Sequence, residues 1–579
     1  MTKDDDINVR LGRIRSRAGQ RARPFVAQAL AAAQRAGGNI SRRGRIVSPR
    51  ASTFGRGRAA SLRANRLLTS RSRGVVVKAR VVRQAKGTAP LAAHLKYLRR
   101  EGVTRDSEKA QMFGADTNEA DHEAFADRCK DDRHHFRFIV SPDDAQELGD
   151  LKDFARELMR DMERDLGTRL DWIAVDHWNT EHPHVHILVR GVAEDGENLV
   201  IARHYIRQGM RDRASEILTQ TLGPRTDHEI RRSIERQIGA ERWTQLDRQL
   251  VRDADRYGFI DAAPSPDRPP DEFLTLKVGR LRRLASLGLA SEIAPGRWVM
   301  ADEAETTLRS LGERGDIIKR MHRALKDHSI DRGTSGYVLA AEEIDAPVIG
   351  RLLERGLDDE LRGTAYAVVD GVDGRVHHLR FPDLEATGDS APGSIVELRH
   401  YEDARDKSRA ALAVRSDLAI GDQIHASGST WLDRQLAARD PVELGEGGFG
   451  REVRQALDAR AEHLIAEGLA RREEQRLILT RNLLATLRDR EIEALSERLA
   501  KETGIPFTRS VEGEHIGGVY RQRFRLASGR FAMIDDGLGF RLVPWSPSLE
   551  KHLGREVNGI ARPDGGIDWT FSRKRGLSL

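Results

Sequence analysis

A chain of 579 residues is too long for one hydrophobic core, and its length points to about three to five domains. The formal net charge of +7 and the pI near 9.5 favour an anionic partner. No run of about 20 apolar residues could span a membrane, so membrane insertion is not expected, and the N-terminus lacks the apolar stretch of a signal peptide. The single cysteine, Cys129, excludes an intramolecular disulfide framework and fits a reducing cytoplasm. No internal repeat of fixed period is apparent.

Residues 10–73 carry 17 arginines and no acidic residue, following Asp4-Asp-Asp6, with Gly, Ser and Ala between them. Such a composition cannot bury enough apolar surface to fold alone, so 1–73 is expected to be a disordered basic arm with one short helical stretch near Phe25 to Ala36. Charge of one sign exceeds what solubility needs and points to nucleic acid.

Gly74 to Val82 alternates as a strand does, and Pro90 to Arg100 reads as a helix with Leu91, Leu95 and Leu98 on one side and Tyr97 on it. A polar helix is expected over 119–131, and a strand from His134 to Val140. Ser141-Pro-Asp-Asp144 has the chemistry of an N-cap with proline at N1, opening a short helix before the longer one from Leu151 to Leu166. Two apolar runs, Asp171 to Val175 and Ile187 to Val189, flank turn residues 179–183 and predict a β-hairpin. A helix from His204 to Leu222 ends at Gly223-Pro224. The span 74–225 is therefore expected to be an α+β domain, its antiparallel sheet covered by helices on one face and its open face carrying histidines.

Residues 226–330 look helical and densely charged, broken by a linker at Pro264 to Pro270. Leu274 to Leu287 holds Lys277, Arg280, Arg282 and Arg283 and precedes a hairpin around Pro295-Gly296, the outline of a winged helix that binds duplex DNA. A solvated helix face would explain the same arginines. Short strands broken by Asp-Gly turns suggest a small β-barrel over 331–405, and 406–579 reads as helical and then β-rich.

Chemistry is concentrated in His177-Trp-Asn-Thr-Glu-His182-Pro-His184-Val-His186. Because strand side chains alternate, His184 and His186 share a face, and His177 ends the partner strand within reach. Three imidazoles on one sheet face make a half-filled coordination sphere for a divalent metal, Mg²⁺ or Mn²⁺, with open positions for water or a phosphate oxygen. Surface or core histidines, or a closed structural zinc site, would read similarly, although a closed site usually recruits thiolates. Imidazole-rich sites accept Mn²⁺, Co²⁺ or Zn²⁺ more readily than Mg²⁺. His182 falls in the turn, where it could be a ligand, support one, or be exposed. A metal able to polarise a phosphoryl oxygen needs a nucleophile. Tyr97 stands among Lys96, Arg99 and Arg100, cations that favour a phenolate and neutralise phosphates. Tyr205, beside Arg203 and Arg207, is a rival.

Lys96-Tyr97-Leu-Arg-Arg-Glu-Gly102 followed by His177 and His182-Pro-His184-Val-His186 resembles the first and third motifs of conjugative relaxases. These are HUH-type strand transferases, the nearest class being plasmid mobilisation relaxases and the T-DNA border endonuclease. The resemblance covers about residues 75–225, and the remainder is similar to a long C-terminal region of unknown function fused to some relaxases. It implies an N-terminal HUH relaxase domain in which Tyr97 becomes 5′-phosphotyrosyl at a nicked transfer origin. It further implies His177, His184 and His186 as metal ligands, and Lys96, Arg99 and Arg100 on DNA. The histidine motif usually reads His-x-Asp and here reads His177-Trp-Asn179, which leaves Asp176 or Glu181 as neighbours able to support the site. Ser141 resembles the second motif region, where a helix N-terminus could hold a phosphate. The implied partners are single- and double-stranded origin DNA, accessory DNA-binding proteins and a type IV secretion coupling protein, reached from the bacterial cytoplasm. A rolling-circle initiator or transposase would share the chemistry, and a non-catalytic DNA-binding protein with a structural metal would share the histidines.

Overall fold

The protein is described from a computed structural model over residues 39–40, 46–47, 71–83, 90–99, 110–178, 182–254, 258–263, 273–339, 347–402, 408–474, 476–562 and 565–571. Most of the basic arm lies outside these residues. Within it a two-stranded pair joins β1 (Asn39–Ile40) to β2 (Ile46–Val47). The chain forms two compact units, Met1–Ala240 with Thr244–Ala304, and Glu241–Trp243 with Glu305–Leu579.

The first unit is built on a four-stranded antiparallel sheet of order β3 (Val75–Arg83), β4 (His134–Pro142), β6 (His184–Arg190) and β5 (Trp172–His177). Even-numbered β4 residues Phe136, Phe138 and Val140 pack with Trp172, Ala174, Val185, Ile187 and Val189 against α3 (Leu151–Leu166) and α4 (Met210–Leu222). The opposite face is covered too, contrary to the expectation of helices on one side only. Leu91, Leu95 and Leu98 of α1 (Pro90–Leu98) and Phe125 of α2 (His122–Arg128) bury Ile173, Val175 and Leu188. The reason is visible in the strands: β5 and β6 are apolar on both parities, and three leucines on one side of α1 must find a partner.

Ser141 does not cap a helix. β4 continues through Pro142, pairing Val76 with Ser141, and turns follow until Asp150, whose side chain accepts from Lys152 N as the N-cap of α3. Ladder pairing with β3 overrides the local Ser-Pro capping pattern. Arg73 ties the start of β3 to the rest, donating to Gly223 O (2.8 Å) and pairing with Asp144 (2.7 Å) and Glu229 (3.2 Å).

Helices α5 (Asp227–Ile238), α6 (Gln245–Ala254) and α7 (Leu274–Ser286) precede the hairpin β8 (Ala290–Ala294)–β9 (Arg297–Met300), with β7 (Ile260–Asp261) pairing to β9. This is the expected helix-and-wing outline, but two of the four cations on α7 turn inward. Lys277 pairs with Asp253 at 2.8 Å, and Arg280 is fully buried against Asp247.

In the second unit the expected small β-barrel is an open six-stranded sheet. Its order is β10 (Tyr337–Val338), β13 (Val376–Phe381), β12 (Thr364–Gly371), β11 (Ile349–Asp359), β14 (Ile395–Glu402) and β15 (Ser408–Ser416), and the outer strands β10 and β15 do not pair. One face packs Tyr366, Val368 and Val376 on Ile317, Met321 and Leu325 of α8 (Ala304–Asp327). The other face buries Leu352, Ala365, Ala367 and Leu379 with Leu384 and Ala386 from the segment after β13, so the sheet is covered without closing, which turn spacing alone does not reveal. Helices α9 (Trp431–Ala437) and α10 (Gly448–Ala466), the hairpin β16 (Ala470–Glu473)–β17 (Arg476–Leu479) and α11 (Leu483–Thr503) follow, then a five-stranded antiparallel sheet from β18 (His515–Leu526) to β22 (Ile567–Thr570).

A repeat is present after all. Thr244-Gln-Leu-Asp247-Arg-Gln-Leu250 and Thr430-Trp-Leu-Asp433-Arg-Gln-Leu436 each start a helix whose aspartate reaches back to the threonine N–H at 2.7 Å. A buried arginine from a later helix grips each aspartate at 2.8 and 2.9 Å, Arg280 on Asp247 and Arg460 on Asp433. Arg280 also donates to Ile238 O and Ala240 O, and Arg460 to Ile424 O and Ala426 O. Both arginine helices close on a left-handed glycine, Gly288 (φ 73°) or Gly468 (φ 71°), before a hairpin. Unequal insertions between these matched points hide any fixed period.

Candidate active site

β5 and β6 pair His177 with His184, and β4 pairs Ile139 with His186, so all three imidazoles emerge on the α1 side of the sheet. They are buried, their ring centroids lie 4.5 to 5.4 Å apart, and one nitrogen from each falls within 4.8 Å of the others. Since a carbonyl can only accept, each hydrogen bond to one fixes a tautomer. His177 Nε2 donates to Leu98 O at 2.9 Å, leaving Nδ1 as its lone-pair nitrogen. His184 Nδ1 donates to His182 O at 2.9 Å, which directs its Nε2 lone pair to His186 Nε2, 3.1 Å away. Three converging imidazoles, two of them held by backbone carbonyls, fit a divalent cation, and the open coordination positions suit a phosphoryl oxygen.

The sequence-predicted residues separate here. Tyr97 lies half-buried on α1 beside the cluster containing Leu95 and Leu98, one residue before the carbonyl that holds His177. Arg99 lies with Nη1 2.8 Å from His122 Nε2, which ties it to α2. The Lys96 side chain, Arg100, Asn179 and Glu181 are outside the described residues. His182 has an exposed ring and serves the site through its main-chain oxygen. Asp176 sits opposite Val185, on the far face of the sheet, where its carboxylate accepts from Trp178 Nε1 at 2.6 Å. Ser141 donates to Pro183 O at 3.2 Å, supporting the histidine turn rather than a phosphate. Tyr205 belongs to the α3–α4 side: its hydroxyl donates to Asp165 at 2.9 Å, and burial and that carboxylate push the phenol far above its usual range.

Sequence reading missed the basic strip beside the histidines. Arg80 pairs with Arg137 and Arg137 with Leu188, so both arginines share the histidine face, as does Lys78 opposite Ile139. Arg137 is buried, donates to His135 Nε2 at 3.0 Å, and is lowered to about 10 by desolvation and then by Arg80. Burial, then the Arg137 charge, holds His135 down at about 3. Alternation in His134-His-Phe-Arg-Phe-Ile139, aromatic on one parity and basic on the other, was the available signal.

This α+β fold carries its histidine cluster on the inner strand β6 and the edge strand β5, and the model of the relaxase family, MobA/VirD2-like, nuclease domain, matches residues 97–221. A second family model, described as a protein of unknown function (DUF3363), matches 277–408 and 398–578, more than half of the chain, and the protein belongs to that family. No curated protein and no solved structure matches the chain. Among the described residues no helix is long and apolar enough to cross a membrane.

Proposed function

We propose that the protein is a site- and strand-specific relaxase that nicks a transfer origin through Tyr97. The observation that carries this reading is the hydrogen bond from His177 Nε2 to Leu98 O, which couples the helix bearing Tyr97 to the histidine cluster. A divalent cation, when held by His177, His184 and His186, supplies positive charge to the scissile phosphate. Tyr97 Oη forms a bond to phosphorus as the P–O3′ bond breaks, and the phenol's proton is balanced by the 3′ hydroxyl released. The strand is left 5′-phosphotyrosyl, so the phosphodiester energy is retained and the cut can be resealed. Arg80 and Arg137 neutralise backbone charge on the same face, and Arg99 does so at the end of α1. The tagged strand then passes, with accessory DNA-binding proteins, to a type IV secretion coupling protein at the edge of the bacterial cytoplasm.

The test is covalent. Full-length protein incubated with an origin oligonucleotide and Mn²⁺ or Mg²⁺ should give a DNA adduct that is lost on chelation and with Tyr97→Phe, and kept with Tyr205→Phe. An adduct that survives Tyr97→Phe and vanishes with Tyr205→Phe overturns the assignment.

A further inference from the structure

The repeated Thr-x-Leu-Asp-Arg-Gln-Leu motif and its buried arginine mark two copies of one helix-and-hairpin module, at 238–300 and 424–479. Helical register aligns α7 with α10 from the shared arginine, so Arg282 corresponds to Glu462. The outward face of α7 is then Thr275, Val278, Arg282 and Ser286, and that of α10 is Gln455, Asp458, Glu462 and Ala466. The internal lock is kept while the charge at the aligned outer position is reversed, from Arg282 to Glu462.

We infer that the two copies have diverged in partner, and that only the first binds duplex DNA, through the outer face of α7 and the β8–β9 hairpin. α7 contains no acidic residue, and its outer side chains are short enough for a helix to approach a groove floor. Arg282 is exposed on it, and exposed Arg297 opens the second hairpin strand with its guanidinium over Phe259. Glu292, the one acid of the hairpin, is turned onto Gly296 N at 2.7 Å. Among the described residues no aromatic ring lies on the α7 face, so they offer no stacking platform of the kind single strands require. In the second copy two of the three hairpin arginines are neutralised in place, Arg472 by Glu462 and Arg471 by Glu473.

The test uses the full chain and a 20-bp duplex without an origin sequence, read by fluorescence anisotropy across a salt series. Arg282→Glu/Arg297→Glu should weaken binding about tenfold or more and lower the slope of log affinity against log salt by about two. Arg472→Glu/Arg476→Glu should leave affinity within about twofold. Because the arginine-rich arm would add its own salt-dependent term to the anisotropy, amide hydrogen exchange supplies a local readout: duplex should protect 274–300 and leave 448–479 unchanged. Absent protection at 274–300, or equal losses from the two double variants, overturns the inference. Neither measurement needs a nick, so failure of the nicking assay would leave this result standing.

Discussion

His177 Nε2 donates to the carbonyl of Leu98 at 2.9 Å, so the last turn of the helix that carries Tyr97 is fastened to a metal-ligating candidate 79 residues away. The bond selects the tautomer of His177, leaves the lone pair on its Nδ1, and ties the end of α1 to β5.

The four histidines of the hairpin should therefore behave differently. His184→Ala removes a ring nitrogen from the cluster and should lower Mn²⁺ affinity at least about tenfold, whereas His182→Ala keeps the carbonyl that orients His184 and should change it by less than about twofold. Calorimetric titration of the full-length variants with Mn²⁺ checks this. Equal losses would place the His182 ring among the ligands.

Acid stability provides a second measurement. Burial lowers His135 to about 3 and His378 to about 4, so both stay neutral in the folded protein where the unfolded chain takes up protons. With depressed folded values, their contribution is complete above the unfolded value of about 6.5 and is lost as pH falls toward 3 to 4. The thermal midpoint should drop through that window, and His135→Gln should flatten the fall for the first unit. A midpoint independent of pH between 6.5 and 4 would show that these rings are protonated in place.

What the sequence disclosed follows from the range of the interactions. Alternation placed His184 and His186 on one face, and glycine chemistry closed α4 at Gly223, because both signals are local. Asp176 was misjudged for its nearness in sequence, although the same alternation sends it to Trp178 on the other face. Cover for the second face depends on α1 meeting Ile173, Val175 and Leu188, a long-range event that no window of the sequence contains. The paired Thr-x-Leu-Asp-Arg-Gln-Leu segments were legible all along. They lie 186 residues apart with unequal insertions, and only the matching grips of Arg280 and Arg460 make them one module.

Cys129 gives a probe of the first unit's second core. It is fully buried with Phe125 and Val175, and desolvation, followed by Asp132, pushes its thiol up to about 12 from 9.0. Its thiolate fraction at pH 8 should be roughly a thousandfold below that of a free thiol, so a thiol reagent should label the native protein only as fast as the α2 region opens. Labelling kinetics with and without denaturant measure this, and rapid native labelling would contradict the packing of α2 on the sheet.

The two arginine–aspartate grips should be among the most sensitive positions in the chain. Asp247 and Asp433 are completely buried, and each carboxylate receives the Nε and Nη2 N–H groups of one guanidinium edge and a threonine hydroxyl. Removing the arginine leaves an uncompensated buried charge, so Arg280→Ala and Arg460→Ala should each destabilise their own unit by about 3–5 kcal/mol. Replacing both partners together, as in Arg280→Met/Asp247→Leu, should recover part of that loss, because the desolvated charge disappears with its partner. Thermal unfolding read by near-ultraviolet circular dichroism would resolve the two units as separate transitions. If Arg280→Ala left both transitions in place, the buried pair would contribute nothing beyond volume, and the parallel between the two modules would be one of sequence alone.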